Sequence, residues 1–212
     1  MWTSSAPTAP IRAVLFDADG VVQIPRPSWL ASLAALCGIP DRTDEFLADV
    51  FAAEKPCLAG RGDFEPALAA VLRKWRSSVA LEDALQIWTE IEPSADTLGV
   101  VRALRSAGIA VALTTNQQAH RANYMANGLG YAEHFDHLLY SCELGHAKPS
   151  AAFFSSALVR IATEPERTLF IDDDEANVAA ARDGGLHAEV YHLSEGVGRL
   201  HEVLKRHGLH IA

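Results

Sequence analysis

Cysteine is scarce in this chain. Cys37, Cys57 and Cys142 are the three in 212 residues, with no CxxC spacing and no even-numbered framework, so they read as free thiols in a reducing cytoplasm. Positive charge is short as well: 18 Lys and Arg stand against 27 Asp and Glu, a formal net charge of −9. That balance argues against nucleic acid or an anionic membrane as a partner, because the overall field repels both. No apolar run approaches the length of a bilayer span. Met1–Pro10 (MWTSSAPTAP) has neither a basic nor an apolar region of the kind a signal peptide needs, and is expected to be a frayed tail. Internal repeats and low-complexity tracts are also missing. What is present, 49% hydrophobic and 21% charged residues, suits a soluble globular protein with a sizeable core.

Short apolar runs without polar alternation predict strands buried on both faces, at Ala13–Phe16, Ile109–Leu113, Thr168–Ile171 and Ala188–Tyr191, with His137–Tyr140 as a fifth. Helical patterns lie between them. Leu98, Val101 and Leu104 share one face ahead of Gly108, and an alanine-rich stretch, Glu175–Arg182, precedes Gly184-Gly185. Alternation of this kind predicts an α/β fold, a Rossmann-like parallel sheet flanked by helices.

The alternation breaks after the first strand. Residues 25–92 show helical stripes and no convincing strand: Trp29/Leu30/Leu33/Leu36, Leu68/Val71/Leu72/Trp75 and Leu81/Ala84/Leu85/Trp88. An inserted α-helical cap of about four helices is expected there, with the core formed by residues 1–24 and 93–212. The tryptophans of these stripes read as cap core rather than as a stacking platform.

In open parallel sheets, ligands bind beyond the carboxyl ends of the strands. Those ends carry Asp17 and Asp19, then Thr114-Thr115-Asn116, then Asp172-Asp173-Asp174, while Lys148 sits in a loop leading towards the third. Carboxylates gathered on one rim repel each other unless a cation joins them, and a hard divalent ion such as Mg²⁺ takes oxygen ligands of this sort. Lys148 and the Thr115 hydroxyl supply the charge and hydrogen bonding that a phosphoryl group needs. The Asp17-x-Asp19 spacing lets one carboxylate attack while the other handles protons.

FDADGVV (Phe16–Val22), LTTN (Leu113–Asn116), AKP (Ala147–Pro149) and FIDDDEANVAAARDGG (Phe170–Gly185) resemble, in order, the four motifs of the haloacid dehalogenase-like hydrolase superfamily. The resemblance is to the branch whose helical cap follows the first strand, and it spans almost the whole chain outside that cap. It implies an Mg²⁺-dependent phosphohydrolase acting on a small phosphorylated metabolite through an aspartyl-phosphate. Asp17 would be nucleophile and metal ligand. Asp19 would be general acid and then base, held protonated by neighbouring negative charge, with its backbone carbonyl on the metal. Thr115, Asn116 and Lys148 would bind the phosphoryl group. Asp173 would be the main acidic metal ligand of the last motif, with Asp172 alongside and Asn177 in support. Arg61, in a cap loop, would touch the leaving group, with Glu54 and Lys55 as weaker candidates. Asp174 stands where the family often has a small polar residue.

Asp19 favours phosphate over halide, because the dehalogenases of the superfamily do not carry Asp two residues after the nucleophile. The rival readings are a sugar-phosphate phosphomutase of the same fold and a non-catalytic binding protein on this scaffold. Gln23-Ile24-Pro25-Arg26-Pro27, apolar and proline-stiffened, favours hydrolysis over the mutase. No motif residue is missing, so the binding protein gains no support. A phosphate-accepting receiver module is rejected, because its acidic pair precedes the acceptor aspartate and it has no long helical insertion.

Overall fold

The computed structural model describes residues 9–39 and 41–211; all of the expected tail except Ala9 and Pro10 lies outside them. β1 (Ala13–Phe16) is buried along its whole length, as its unbroken apolar sequence requires. A short strand, β2 (Gln23–Pro25), leads into helices α1 (Trp29–Ala34), α2 (Thr43–Cys57), α3 (Phe64–Lys74) and α4 (Leu81–Gln86). β3 (Ile91–Pro93) then returns to α5 (Ala95–Ser106) and β4 (Ala110–Thr115). α6 (Ala119–Asn123) runs on into a π-helical turn, Tyr124–Gly128, and α7 (Tyr131–His134), β5 (His137–Tyr140) and α8 (Ser141–Leu144) follow. The chain closes with α9 (Ala151–Ile161), β6 (Thr168–Asp172), α10 (Glu175–Asp183), β7 (His187–Val190) and α11 (Val197–Arg206).

The main sheet has the order β5-β4-β1-β6-β7, and every pairing in it is parallel. Alternate strand residues face opposite layers. Val14, Phe16, Val111, Leu113, Leu169 and Ile171 pack in one apolar cluster with Leu98, Val101 and Leu104 of α5 and Leu200, Val203 and Leu204 of α11. Ala13, Leu15, Ala112 and Phe170 join the opposite cluster, with Phe153, Phe154 and Ala157 of α9 and Val178 and Ala181 of α10. The fold is therefore the expected three-layer, Rossmann-like α/β arrangement.

Register sets where the chemistry sits. Phe16 pairs with both Leu113 and Ile171, so the residues just beyond them share one edge of the sheet. The Asp17 amide donates to the Ile171 carbonyl at 2.8 Å and extends that alignment by one residue.

Helices α1–α4 and the turns beside them enclose a third cluster, with Leu33, Phe46, Val50, Leu68, Leu72, Trp75 and Trp88 buried in it. Burying a large apolar side chain is worth about 1.5–3 kcal/mol, so amphipathic stripes too short to be stable alone hold together as a bundle. One expectation needs correction. The stretch from 25 to 92 is not free of strand: Gln23–Pro25 pairs antiparallel with Ile91–Pro93, placing Pro25 opposite Ile91 and Gln23 opposite Pro93. Three residues with a terminal proline on each side leave no periodicity to read; the pairing follows from the two ends of the insertion meeting at one place.

Candidate active site

Asp17, Thr115, Asn116, Lys148, Asp173 and Asp174 line a cleft of about 430 Å³ beyond the carboxyl ends of β1, β4 and β6, with Ile24 and Pro25 on its wall. At its floor the Lys148 ammonium lies 2.7 Å from Asp17 Oδ1 and 2.5 Å from Asp172 Oδ2. Burial alone would lower the Lys148 pKa, but the two carboxylates outweigh it and raise it, so the lysine stays charged. Asp17 is pushed up to about 7, first by burial and then by the charges of Asp172 and Asp19, against the pull of Lys148. One ammonium shared between two buried carboxylates leaves a net negative charge that a proton or a metal can neutralise.

Asp172 is fully buried and fully engaged: beyond Lys148 it accepts from the Asn177 amide at 3.1 and 3.2 Å and from the Asp174 backbone N–H at 2.8 Å. Asp173 is half-buried at the cleft, and burial followed by the Asp172 charge raises its pKa. Carboxylate oxygens of Asp17, Asp172 and Asp173 all lie within 4.8 Å of one another. These are hard oxygen donors carrying excess negative charge, and they fit a divalent cation such as Mg²⁺. Gly20 keeps the cluster open: its φ is +82°, and a Cβ there would fall 2.1 Å from Asp173 Oδ2.

The two threonines of β4 separate by direction. Thr114 Oγ1 donates to the Phe16 carbonyl at 3.1 Å inside the sheet, while Thr115 faces the cleft. The Asn116 side chain pins the lysine loop, donating to the Lys148 carbonyl at 2.9 Å and accepting from the Lys148 amide at 2.8 Å. Asp174 caps α10, accepting from the Ala176 N–H at 2.7 Å and the Asn177 N–H at 3.4 Å. Arg61 is exposed in the loop between α2 and α3 and is not among the residues lining the cleft. Lys55, on α2, does not line it either.

Asp19 departs from expectation in its protonation. Burial favours the neutral acid, but Arg121 and hydrogen bonds from Gln23 and Gln117 override it and hold the carboxyl below its ordinary pKa. The arginine forks both oxygens, at 2.6 and 2.9 Å. Neighbouring negative charge therefore does not keep Asp19 protonated in this arrangement; an opposite charge beside it wins. Nothing in the sequence singled out Arg121 or Gln117, which belong to the segment just past the LTTN motif. Glu54, a weaker candidate on α2, is half-buried, and burial raises its pKa against the hydrogen bond it accepts from Trp88 Nε1 at 2.8 Å.

A five-stranded parallel sheet with carboxylates on its carboxyl rim and a helical insertion after the first strand defines an α/β protein with an inserted helical bundle. The sequence profile of the haloacid dehalogenase-like hydrolases matches residues 11–185, and the chain belongs to that family. It is 24% identical over 186 residues to an N-acetylmuramic acid 6-phosphate phosphatase of Pseudomonas aeruginosa, spanning 82% of this chain and 79% of that one. A GMP/IMP nucleotidase of Escherichia coli is 31% identical, but over only 53% of this chain and 52% of its own. Among solved structures, a HAD-like family hydrolase of Porphyromonas gingivalis superposes with a TM-score of 0.78 at 23% identity, covering 93% of this chain and 99% of that one. A HAD family enzyme of Bacteroides thetaiotaomicron, in complex with magnesium and inorganic phosphate, gives 0.76 at 18% identity, covering 90% and 98%.

Proposed function

We propose that the protein is an Mg²⁺-dependent phosphatase that cleaves a small phosphomonoester through an aspartyl-phosphate on Asp17. The observation that carries this reading is the triad at the cleft floor, where Lys148 bridges Asp17 and Asp172 at 2.7 and 2.5 Å beside the half-buried carboxylate of Asp173. Relatives named as a sugar-phosphate phosphatase and a nucleotidase, and the fold shared with an enzyme crystallised with magnesium and phosphate, support it.

Lys148 and Thr115 hold the phosphoryl oxygens, with Lys148 supplying positive charge at short range against the overall charge of −9. Asp17 Oδ attacks phosphorus in line; the Asp17–phosphorus bond forms as the ester P–O bond breaks, and the departing oxygen takes a proton from Asp19, which acquires it from solvent once its carboxyl leaves the Arg121 fork. Asp19, now a carboxylate, draws a proton from water, which hydrolyses the aspartyl-phosphate and frees Asp17. Asp17, Asp173 and the backbone carbonyl of Asp19 would hold Mg²⁺, with Asp172 behind them; when bound, the ion offsets repulsion between carboxylate and phosphate. Residues 25–92 act as the cap that closes over the site and excludes water.

Asp17→Asn is expected to abolish release of inorganic phosphate, measured against a panel of phosphomonoesters with and without Mg²⁺, while the far-ultraviolet circular dichroism stays as in the parent. Turnover retained by that variant overturns the assignment. Appearance of an isomeric ester without free phosphate would mark a mutase instead.

A further inference from the structure

The Asp19 carboxylate is saturated. Oδ1 accepts from Arg121 Nη2 at 2.9 Å and Gln23 Nε2 at 3.0 Å, and Oδ2 from Arg121 Nη1 at 2.6 Å and Gln117 Nε2 at 3.0 Å. A carboxylate offers about four lone-pair positions, so in this arrangement none remains for a substrate oxygen or a water. The clamp is built into the fold. The Arg121 side chain is only 11% exposed, its Nη1 also donates to Gln117 Oε1 at 3.1 Å, and Gln23 is oriented by Tyr131 Oη, which donates to Gln23 Oε1 at 2.9 Å.

The same guanidinium reaches the helical insertion. Arg121 Nε donates to the Trp88 backbone carbonyl at 3.1 Å. Trp88 is fixed within the cap bundle by the Glu54 carboxylate at 2.8 Å and by the Phe64 ring, with centroids 4.8 Å apart. One side chain thus bonds the first motif with its forked end and the cap with its stem nitrogen. A displacement of the segment holding Trp88 relative to α6 strains the fork.

We propose that Arg121 is a positioning residue that keeps the Asp19 carboxylate, which lines the cleft beside Asp17, occupied and couples its release to the position of the cap. This rests on the reading above, in which Asp19 serves the leaving oxygen. Arg121 takes no part in bond making; it decides when Asp19 is free to turn toward the substrate. Substrates whose leaving oxygen needs a proton must await that release, whereas a p-nitrophenolate departs without one.

The test compares kcat/KM for benzyl phosphate, an alkoxide leaving group, with kcat/KM for p-nitrophenyl phosphate of similar size, in the full-length enzyme with Mg²⁺. This parameter reports the steps up to cleavage of the ester bond, so the later hydrolysis of the aspartyl-phosphate does not enter it. Arg121→Gln is expected to raise the benzyl-to-nitrophenyl ratio about tenfold, the scale of a lost charge-assisted hydrogen bond. Arg121→Lys, which keeps the charge but not the fork, gives a smaller rise and decides the matter if the glutamine variant fails to fold. In an Asp19→Asn background the ratio no longer responds to Arg121. A ratio that falls or stays unchanged, or that shifts equally in both backgrounds, overturns the proposal. Turnover retained by Asp17→Asn would instead overturn the underlying phosphatase reading, so the two failures are distinguishable.

Discussion

The charge at the floor of the cleft is shared out among single residues. Lys148 cannot neutralise both Asp17 and Asp172, and burial raises the Asp17 pKa to about 7 from an ordinary 3.8. A metal binds the carboxylate and not the acid, so a proton competes with it below that value. Mg²⁺ affinity, measured by titration calorimetry, is expected to weaken by about tenfold per pH unit below 7 and to level off above it. The sign for folding runs the other way. A folded-state pKa above the unfolded one gives stability that is complete below pH 3.8 and lost as pH rises through about 7. The metal-free protein should therefore melt lower at pH 7.5 than at pH 5, and Asp17→Asn should flatten that slope. At this scale the gathering of Asp17, Asp19, Thr115, Asp172 and Asp173 on one rim was legible because each belongs to a short motif at a strand end, and Lys148 joins them from the AKP loop before α9. Arg121 was not: it meets Asp19 across 102 residues, and a lone arginine in the first turns of a helix reads as solvated until the fold brings the pair together. Asp174 became intelligible only as the cap of α10, and Thr114 only as a hydrogen bond within the sheet.

Among the elements, the tight turn after β1 constrains the site most. Gly20 combines a left-handed backbone with contact against Asp173, so Gly20→Ala meets both a conformational penalty and a clash with a candidate metal ligand. The substitution is expected to cost about 1–3 kcal/mol in thermal or urea unfolding. It should also cut phosphatase activity about tenfold or more, with a higher Mg²⁺ requirement, because a displacement of an ångström is enough to degrade positioning. The strands of the main sheet were readable to within a residue or two: β1 and β5 match their apolar runs, β4 runs on to Thr115, and β7 begins one residue earlier at His187. Their composition suits burial on both faces and little else. β2 and β3 escaped notice because pairing between residues 23–25 and 91–93 depends on closing a loop of that length, which leaves no trace in either three-residue segment.

Among the described residues, apolar packing divides into three clusters, two against the sheet and one within the insertion that carries helices α1–α4. A cavity opened in the third should be felt locally first. Leu68→Ala, at a fully buried position of α3, is expected to cost about 2–5 kcal/mol in the bundle. Hydrogen exchange should speed up in α2 and α3 while the amides of β1 and β6 keep their protection. Equal loss of protection in both would show a single cooperative unit instead. The layered architecture was open to sequence reading because periodicity reports which face of each element is buried. The clamp through which Arg121 of α6 links the insertion to Asp19 was not, because it depends on how two separately patterned bodies dock.

The β2–β3 ribbon sets the entry and exit of the insertion side by side, with Pro25 opposite Ile91. Any segment whose two ends meet at that spacing can occupy the place between them without rethreading the sheet or shifting the rim carboxylates. The insertion is in that sense an interchangeable part, and a scaffold wired this way can trade one compact module for another while the residues of its carboxyl rim stay where they are.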